Sequence, residues 1–240
     1  MTKKKKGFPK KKEEALVPAK TMPRGISPIE EEDRILPRLK LLQALSPEVL
    51  DKKGSSGEFV NSISGESFGS KVSFIPLFWK KSRILWKSRD EGGGIICRSF
   101  DGRTSANGKN CLTCKDRMWG EEGGERIQPK CTSFINLITL VNLQPLAVSF
   151  AKTSYTTGKK FINLLTLKGV DVFTFSYILT SQETTTDKGR FFIMKIDDTL
   201  SKVNKEDFSK ASIFFERMME LKTEIQIHDE KKEEPEESEF

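Results

Sequence analysis

Histidine is nearly absent from this sequence: its one copy, His228, stands beside an acidic tail, so the body of the chain carries no imidazole to act as a general base. There is no Walker-type phosphate loop and no Gly-x-Ser-x-Gly turn, which removes the sequence signs of a P-loop NTPase and of an α/β-hydrolase nucleophile. Long apolar runs are missing too. The longest candidate, Phe134 to Val141, falls well short of the ~20 residues a membrane-spanning helix needs. Met1 is followed by lysines rather than by an apolar leader, so secretion is not expected. No internal repeat is visible. These absences point to a soluble, cytoplasmic chain with reduced thiols and no membrane partner.

Carboxylates are plentiful but badly placed for two-metal chemistry. Asp101, Asp171, Asp187, Asp197 and Asp198 are available, and only Asp197 and Asp198 are neighbours. Adjacent residues on a strand point to opposite faces, so that pair does not share an ion. The expectation is a protein that is not an enzyme; a metal-dependent nuclease is the weaker alternative.

Charge is what the sequence has in excess, and it is unevenly spread over the 240 residues. The formal charge is +7, of which residues 1–24 carry nine Lys or Arg against two Glu, while Asp229 to Phe240 carry seven acids against two lysines. The body between is therefore also basic, at about +5. A polyanionic partner is the simplest reason for a basic arm attached to a basic body. Residues 1–34, with Lys3 to Lys6, Lys10 to Lys12 and prolines at 18, 23 and 28, have little to bury and read as a disordered basic arm. Residues 229–240 read as a disordered acidic tail ending on Phe240. Solubility gives no reason for a terminal ring after a run of acids. Docking on a basic-rimmed apolar pocket of a partner protein does, with Glu236, Glu237, Glu239 and Phe240 as the contacting residues.

Between the ends, short apolar segments rich in aromatic and β-branched residues predict a mainly β core over residues 35–204. Strands are expected over Val72 to Trp79 and Ser82 to Lys87, joined by a cationic turn at Lys80 and Lys81, and over Thr132 to Val141 and Ala147 to Phe150. A hairpin is expected from Val172 to Thr180 and Arg190 to Ile196. Gly54 to Ser70 reads as loop, and Ile35 to Leu50 as a short strand or helix. Helical spacing marks Thr157 to Lys168, and a C-terminal helix over 205–228 carries Phe208, Ala211, Phe215, Met218 and Met219 on one face. Strand count and connection length favour a curled sheet or a barrel of the oligonucleotide-binding type.

All four cysteines lie between Cys97 and Cys131: Cys97, the Cys111-Leu-Thr-Cys114 knuckle, and Cys131. Four thiolates with a Cys-x2-Cys loop suit a closed tetrahedral zinc site, whose binding energy would order a long insert between two strands. Disulfides, free buried thiols and an iron–sulfur cluster stay open as alternatives.

Cations and rings alternate closely in this body. Lys71, Trp79, Lys80, Lys81, Arg83, Trp86 and Lys87 form one run; Arg98, Phe100 and Arg103 open the cysteine segment; Lys152, Tyr155, Lys159 and Lys160 follow Phe150. Unpaired nucleic acid needs this combination, cations for phosphates and exposed rings for bases. Phe74, Phe134, Phe173 and Phe175 are expected in the core instead. A zinc-ribbon transcription factor or duplex-DNA binder is the alternative, but it would need a recognition helix with exposed Arg and Asn, and the best helix here is dominated by Phe and Met.

The basic body with interleaved aromatics, the four-cysteine insert and the acidic tail closing on Phe240 resemble the single-stranded DNA-binding proteins of tailed bacteriophages, in arrangement rather than residue by residue. What the resemblance implies is an OB-fold-like barrel with a structural Zn2+, and a sequence-tolerant binder serving replication, recombination or repair in the host cytoplasm. Its tail would recruit replication or recombination proteins.

Overall fold

A computed structural model describes residues 35–88, 91–187, 189–220 and 226–227. The basic arm, His228 and the acidic tail with Glu236, Glu237, Glu239 and Phe240 lie outside the described residues. In chain order the elements are β1 (Ile35–Leu36), β2 (Leu39–Leu41), α1 (Pro47–Leu50), β3 (Phe59–Asn61), β4 (Ser67–Gly69), β5 (Lys71–Trp86) and β6 (Ile95–Ser99). There follow β7 (Gly120–Glu122), β8 (Glu125–Ile127), β9 (Cys131–Val141), β10 (Gln144–Ala151), α2 (Tyr155–Leu167), β11 (Phe175–Thr186), β12 (Gly189–Lys202), α3 (Lys205–Glu220) and β13 (Gln226–Ile227). Among the described residues the protein is mainly β with three α-helices, in line with the mainly β expectation. No helix among the described residues is long and apolar enough to cross a membrane.

The main sheet runs β10-β9-β5-β11-β12, with β6 added to β5, and every pairing in it is antiparallel. Alternation explains how it buries both faces. In β9, Ile135, Leu137 and Val141 join one core cluster with Phe74, Phe150, Tyr177 and the α2 residues Phe161, Ile162 and Leu165. Ile138 and Leu140 point the other way, into a cluster with Leu77, Phe173 and Ala211 of α3. Phe208 and Phe215 of α3 complete that second cluster around Phe173, with ring centroids 5.1 and 5.8 Å away. The first turn of α3 is fixed by Asn204, whose Oδ1 accepts from the Asp207 N–H at 2.8 Å, and Glu206 and Asp207 suit the positive helix end. The close approach of α2 to β10 requires a glycine: a Cβ on Gly158 would lie 2.7 Å from the Phe150 Cβ.

The expected closed barrel is not formed among the described residues; the sheet stays open between β10 and β12. Residues 37–43 span the opening with very few bonds. At one end the Ala147 N–H donates to the Pro37 carbonyl at 2.9 Å, a single parallel bridge. At the other a side chain stands in for a strand. Gln43 Nε2 donates to the Phe192 carbonyl at 2.9 Å, and the Phe192 N–H donates to Gln43 Oε1 at 2.8 Å. The three-stranded sheet β2-β3-β4 grows from this segment, so the stretch expected as loop over Gly54 to Ser70 contains two strands. Gly57, at φ +88°, leaves room for the Phe192 ring, which a Cβ would approach to 2.6 Å.

β5 departs most from expectation. The two strands separated by a cationic turn are one strand of 16 residues, with Lys80 and Lys81 inside it. An extra residue, Leu77, lies between the pairs Pro76–Thr139 and Phe78–Ile138, and it resets the alternation without ending the strand.

Candidate nucleic-acid interface

The outer half of β5 has an irregular edge. One side is paired to β9 from Ile75 to Leu85. On the other, β11 pairs only with Lys71 to Phe74 and β6 only with Arg83 to Trp86. Ile75 to Ser82 therefore face a notch in the sheet, with no partner strand on that edge among the described residues. Trp79 lies in this notch and is 40% exposed. Lys80 is half-buried beside it and Lys81 is exposed. Phe78 packs on Phe215 of α3 at 6.4 Å, so Phe78, Lys80 and Ser82 share the α3 face, and Trp79, Lys81 and Arg83 share the α2 face. Within a sheet those sets would be separated. At an unpaired edge one passing polymer strand reaches both.

Next to Lys80 a polar row crosses three strands. Asn136 Nδ2 donates to Ser82 Oγ at 2.7 Å, and Ser149 Oγ donates to Asn136 Oδ1 at 2.8 Å. Asn136 is buried with both partners supplied, which holds the β5–β9–β10 backbone rigid behind the notch.

The segment between β6 and β9 closes one end of the notch, and hydrogen bonds order it. Asp101 Oδ1 accepts from the Arg103 and Thr104 N–H groups at 2.7 and 2.8 Å and from Ser99 Oγ at 3.0 Å. Those backbone donors are the largest reason its carboxyl is held below the usual range. Arg83 Nε donates to the Gly102 carbonyl at 3.3 Å, and Gly102, at φ +73°, passes so close that a Cβ would lie 3.1 Å from the Lys81 Cβ. Arg103 is exposed at this border.

The zinc site expected here is not formed. Among the described residues, which include all four cysteines, no three or more Cys, His, Asp or Glu side chains come together as a metal site. The register supplies the reason. Leu85 is paired with Cys97 on one side and with Cys131 on the other, so those two cysteines sit two strand spacings apart, about 10 Å. Sulfurs ~2.3 Å from one tetrahedral ion would lie only about 4 Å from each other. Burial raises the Cys131 thiol above its ordinary pKa, with the Arg83 charge and hydrogen bond opposing; Cys111 and Cys114 lie near enough to add to the rise. The cysteine segment is thus held by the Asp101 turn and by backbone bonds such as Cys111 N–H to the Arg103 carbonyl at 2.7 Å, in place of a metal.

The other residues singled out in the sequence are dispersed. Trp86, 40% exposed, and Lys87 stand at the outer tip of β5. Arg98 lies over the Phe100 ring at 5.6 Å in the adjoining β6 turn. Lys71 is at the far end of β5, where its charge helps lower the Asp197 pKa, after the Thr199 backbone and side-chain hydrogen bonds. Lys152, Lys159 and Lys160 are exposed around the start of α2, which packs on β9, β10 and β12, and Tyr155 packs against the core. Of the phenylalanines expected inside, Phe74 and Phe173 are buried, whereas Phe134 and Phe175 are half-buried. The sequence reading passed over Trp119, which is 53% exposed beneath the Arg126 guanidinium, 4.5 Å from its centroid. Being the third of only three tryptophans was the available signal.

A mainly β body whose aromatic and cationic side chains meet at an unpaired strand edge is the class this geometry defines. The chain belongs to the Pam3 phage gp34-like protein family, which matches residues 9–224. No curated protein and no solved structure matches it.

Proposed function

We propose that this phage-family protein is a non-catalytic, sequence-tolerant binder of single-stranded DNA, serving replication, recombination or repair. The observation that carries the reading is the exposure of Trp79 in the β5 notch, next in sequence to Lys80 and on the same sheet face as the exposed Lys81. Tryptophan is usually among the more buried residues. A half-exposed ring followed by two cations offers what an unpaired base and its phosphates need, and each stack is worth about 1–3 kcal/mol. An unpaired strand edge at Ile75 to Ser82 among the described residues suits an extended single strand better than a duplex. The net charge of the body and of the 1–34 arm supports the same reading through the phosphate term, which is independent of sequence. The acidic segment ending on Phe240 suits recruitment of replication or recombination proteins.

The test is a titration of the full chain with single-stranded DNA, duplex DNA and RNA over a salt series, read by intrinsic tryptophan fluorescence. Quenching with single-stranded DNA, preference for it over duplex, and affinity that falls as salt rises are expected. Preference for duplex, or absence of binding, overturns the reading. Removing Glu233 to Phe240 should weaken partner recruitment while leaving DNA affinity equal or tighter.

A further inference from the structure

The β7–β8 hairpin stands apart from the notch. All six of its residues are exposed, and among the described residues its strands pair only with each other. A lone two-stranded hairpin is marginal in water unless something packs on it. Large apolar side chains around it also face solvent: Leu112 at 50%, Met118 at 53%, Trp119 at 53% and Ile127 at 38% exposure.

Charge decides what fits there. From Cys111 to Cys131 four basic residues are cancelled by four acidic ones, within a chain of net charge +7. A polyanion finds no net attraction at such a patch. A second copy of this chain, repelled by the rest of the basic body, meets no net repulsion here. Glu121 and Arg126 are paired in register, one charge of each sign side by side, and the Arg126 guanidinium lies over the Trp119 ring, so a two-fold rotation brings opposite signs together.

We propose that the β7–β8 hairpin is a self-association surface that docks the same hairpin of a second copy. Trp119 is buried against the apolar side chains of its mate, and Glu121 of each copy faces Arg126 of the other. The patch is small, so the dimer is weak and reversible, with Kd on the order of 10–100 μM. This does not rest on DNA binding.

Sedimentation velocity of the full chain without DNA, from about 1 to about 200 μM, tests it. A concentration-dependent monomer–dimer equilibrium is expected. Trp119→Ala should weaken it about 10-fold or more, the range of a buried aromatic anchor. Glu121→Arg and Arg126→Glu should each weaken it, and the two together should restore it, because the swap preserves complementarity. These side chains are exposed, and circular dichroism checks that each variant stays folded. A monomer throughout, a dimer indifferent to Trp119→Ala, or failure of the double swap to restore association overturns the proposal. So does a Trp119→Ala variant that loses DNA affinity with its mass distribution unchanged, since the patch would then be a nucleic-acid contact.

Discussion

The two halves of β5 lie on one strand and are supported differently. Between Lys71 and Leu77 the strand feeds both cores, Val72 and Phe74 in the α2 cluster and Leu77 in the α3 cluster, each 3% exposed or less. From Ile75 to Ser82 the partner strand on one edge is missing among the described residues, and beyond Phe78 the sequence changes to Trp79, Lys80 and Lys81. The inner half fills volume in the two cores, and the outer half presents Trp79 and Lys81 to solvent. A rigid strand continuing from a doubly covered core positions surface side chains better than a loop would, since their backbone is already ordered by β9.

Substitutions should separate the halves. The largest effect on stability is expected from Phe150→Ala, which empties a fully buried site under Gly158 and should cost about 3–5 kcal/mol in denaturant unfolding. Its DNA affinity, measured where the variant is still folded, should hardly change. Trp79→Ala should do the reverse: about 1–3 kcal/mol of single-strand affinity lost in a binding titration, with a far smaller change in unfolding midpoint. If both variants lost stability equally and neither lost affinity, the contrast between the halves would be broken. Gln43→Ala removes the side chain that joins residues 37–43 to β12 and should cost about 1 kcal/mol, read by thermal unfolding. The smallest effect belongs to Asp101. Its carboxyl is held low in the folded chain, so the stability it contributes is present above the ordinary carboxylate range and is lost as pH falls through the lowered value. Acid below the ordinary carboxylate range should therefore loosen residues 100–130 before the core, seen as pepsin cleavage there ahead of global unfolding. Asp101→Ala should show the same cleavage at pH values where the parent resists.

Much of the fold was legible because its signals are local. β9 is a continuous apolar run, and both long helices show their periodicity; α2, observed as Tyr155–Leu167, lies within two residues of the expected helix. What could not be read depends on register. Lys80 and Lys81 resemble a turn because two adjacent lysines interrupt an apolar pattern, and only pairing with Asn136 and Ile135 shows that the strand continues. The cysteine spacing suited a metal, yet the interposition of Leu85 between Cys97 and Cys131 is a sheet property that no spacing rule contains. The open edge at Ile75 to Ser82 arises where two distant strands stop, a fact of topology. The candidate site was therefore legible in its residue types, at Trp79, Lys80 and Lys81, but not in its extent. The α2 lysines share the composition of the run without sharing its location.

The most direct measurement is photo-crosslinking of the full chain to an oligothymidylate, with the adducts located by peptide mass spectrometry. Adducts concentrated at Trp79 and its neighbours in the β5 notch are the predicted result. Adducts confined to the α2 lysines or to Trp119, with none on β5, would contradict the assignment of the notch as the nucleic-acid interface.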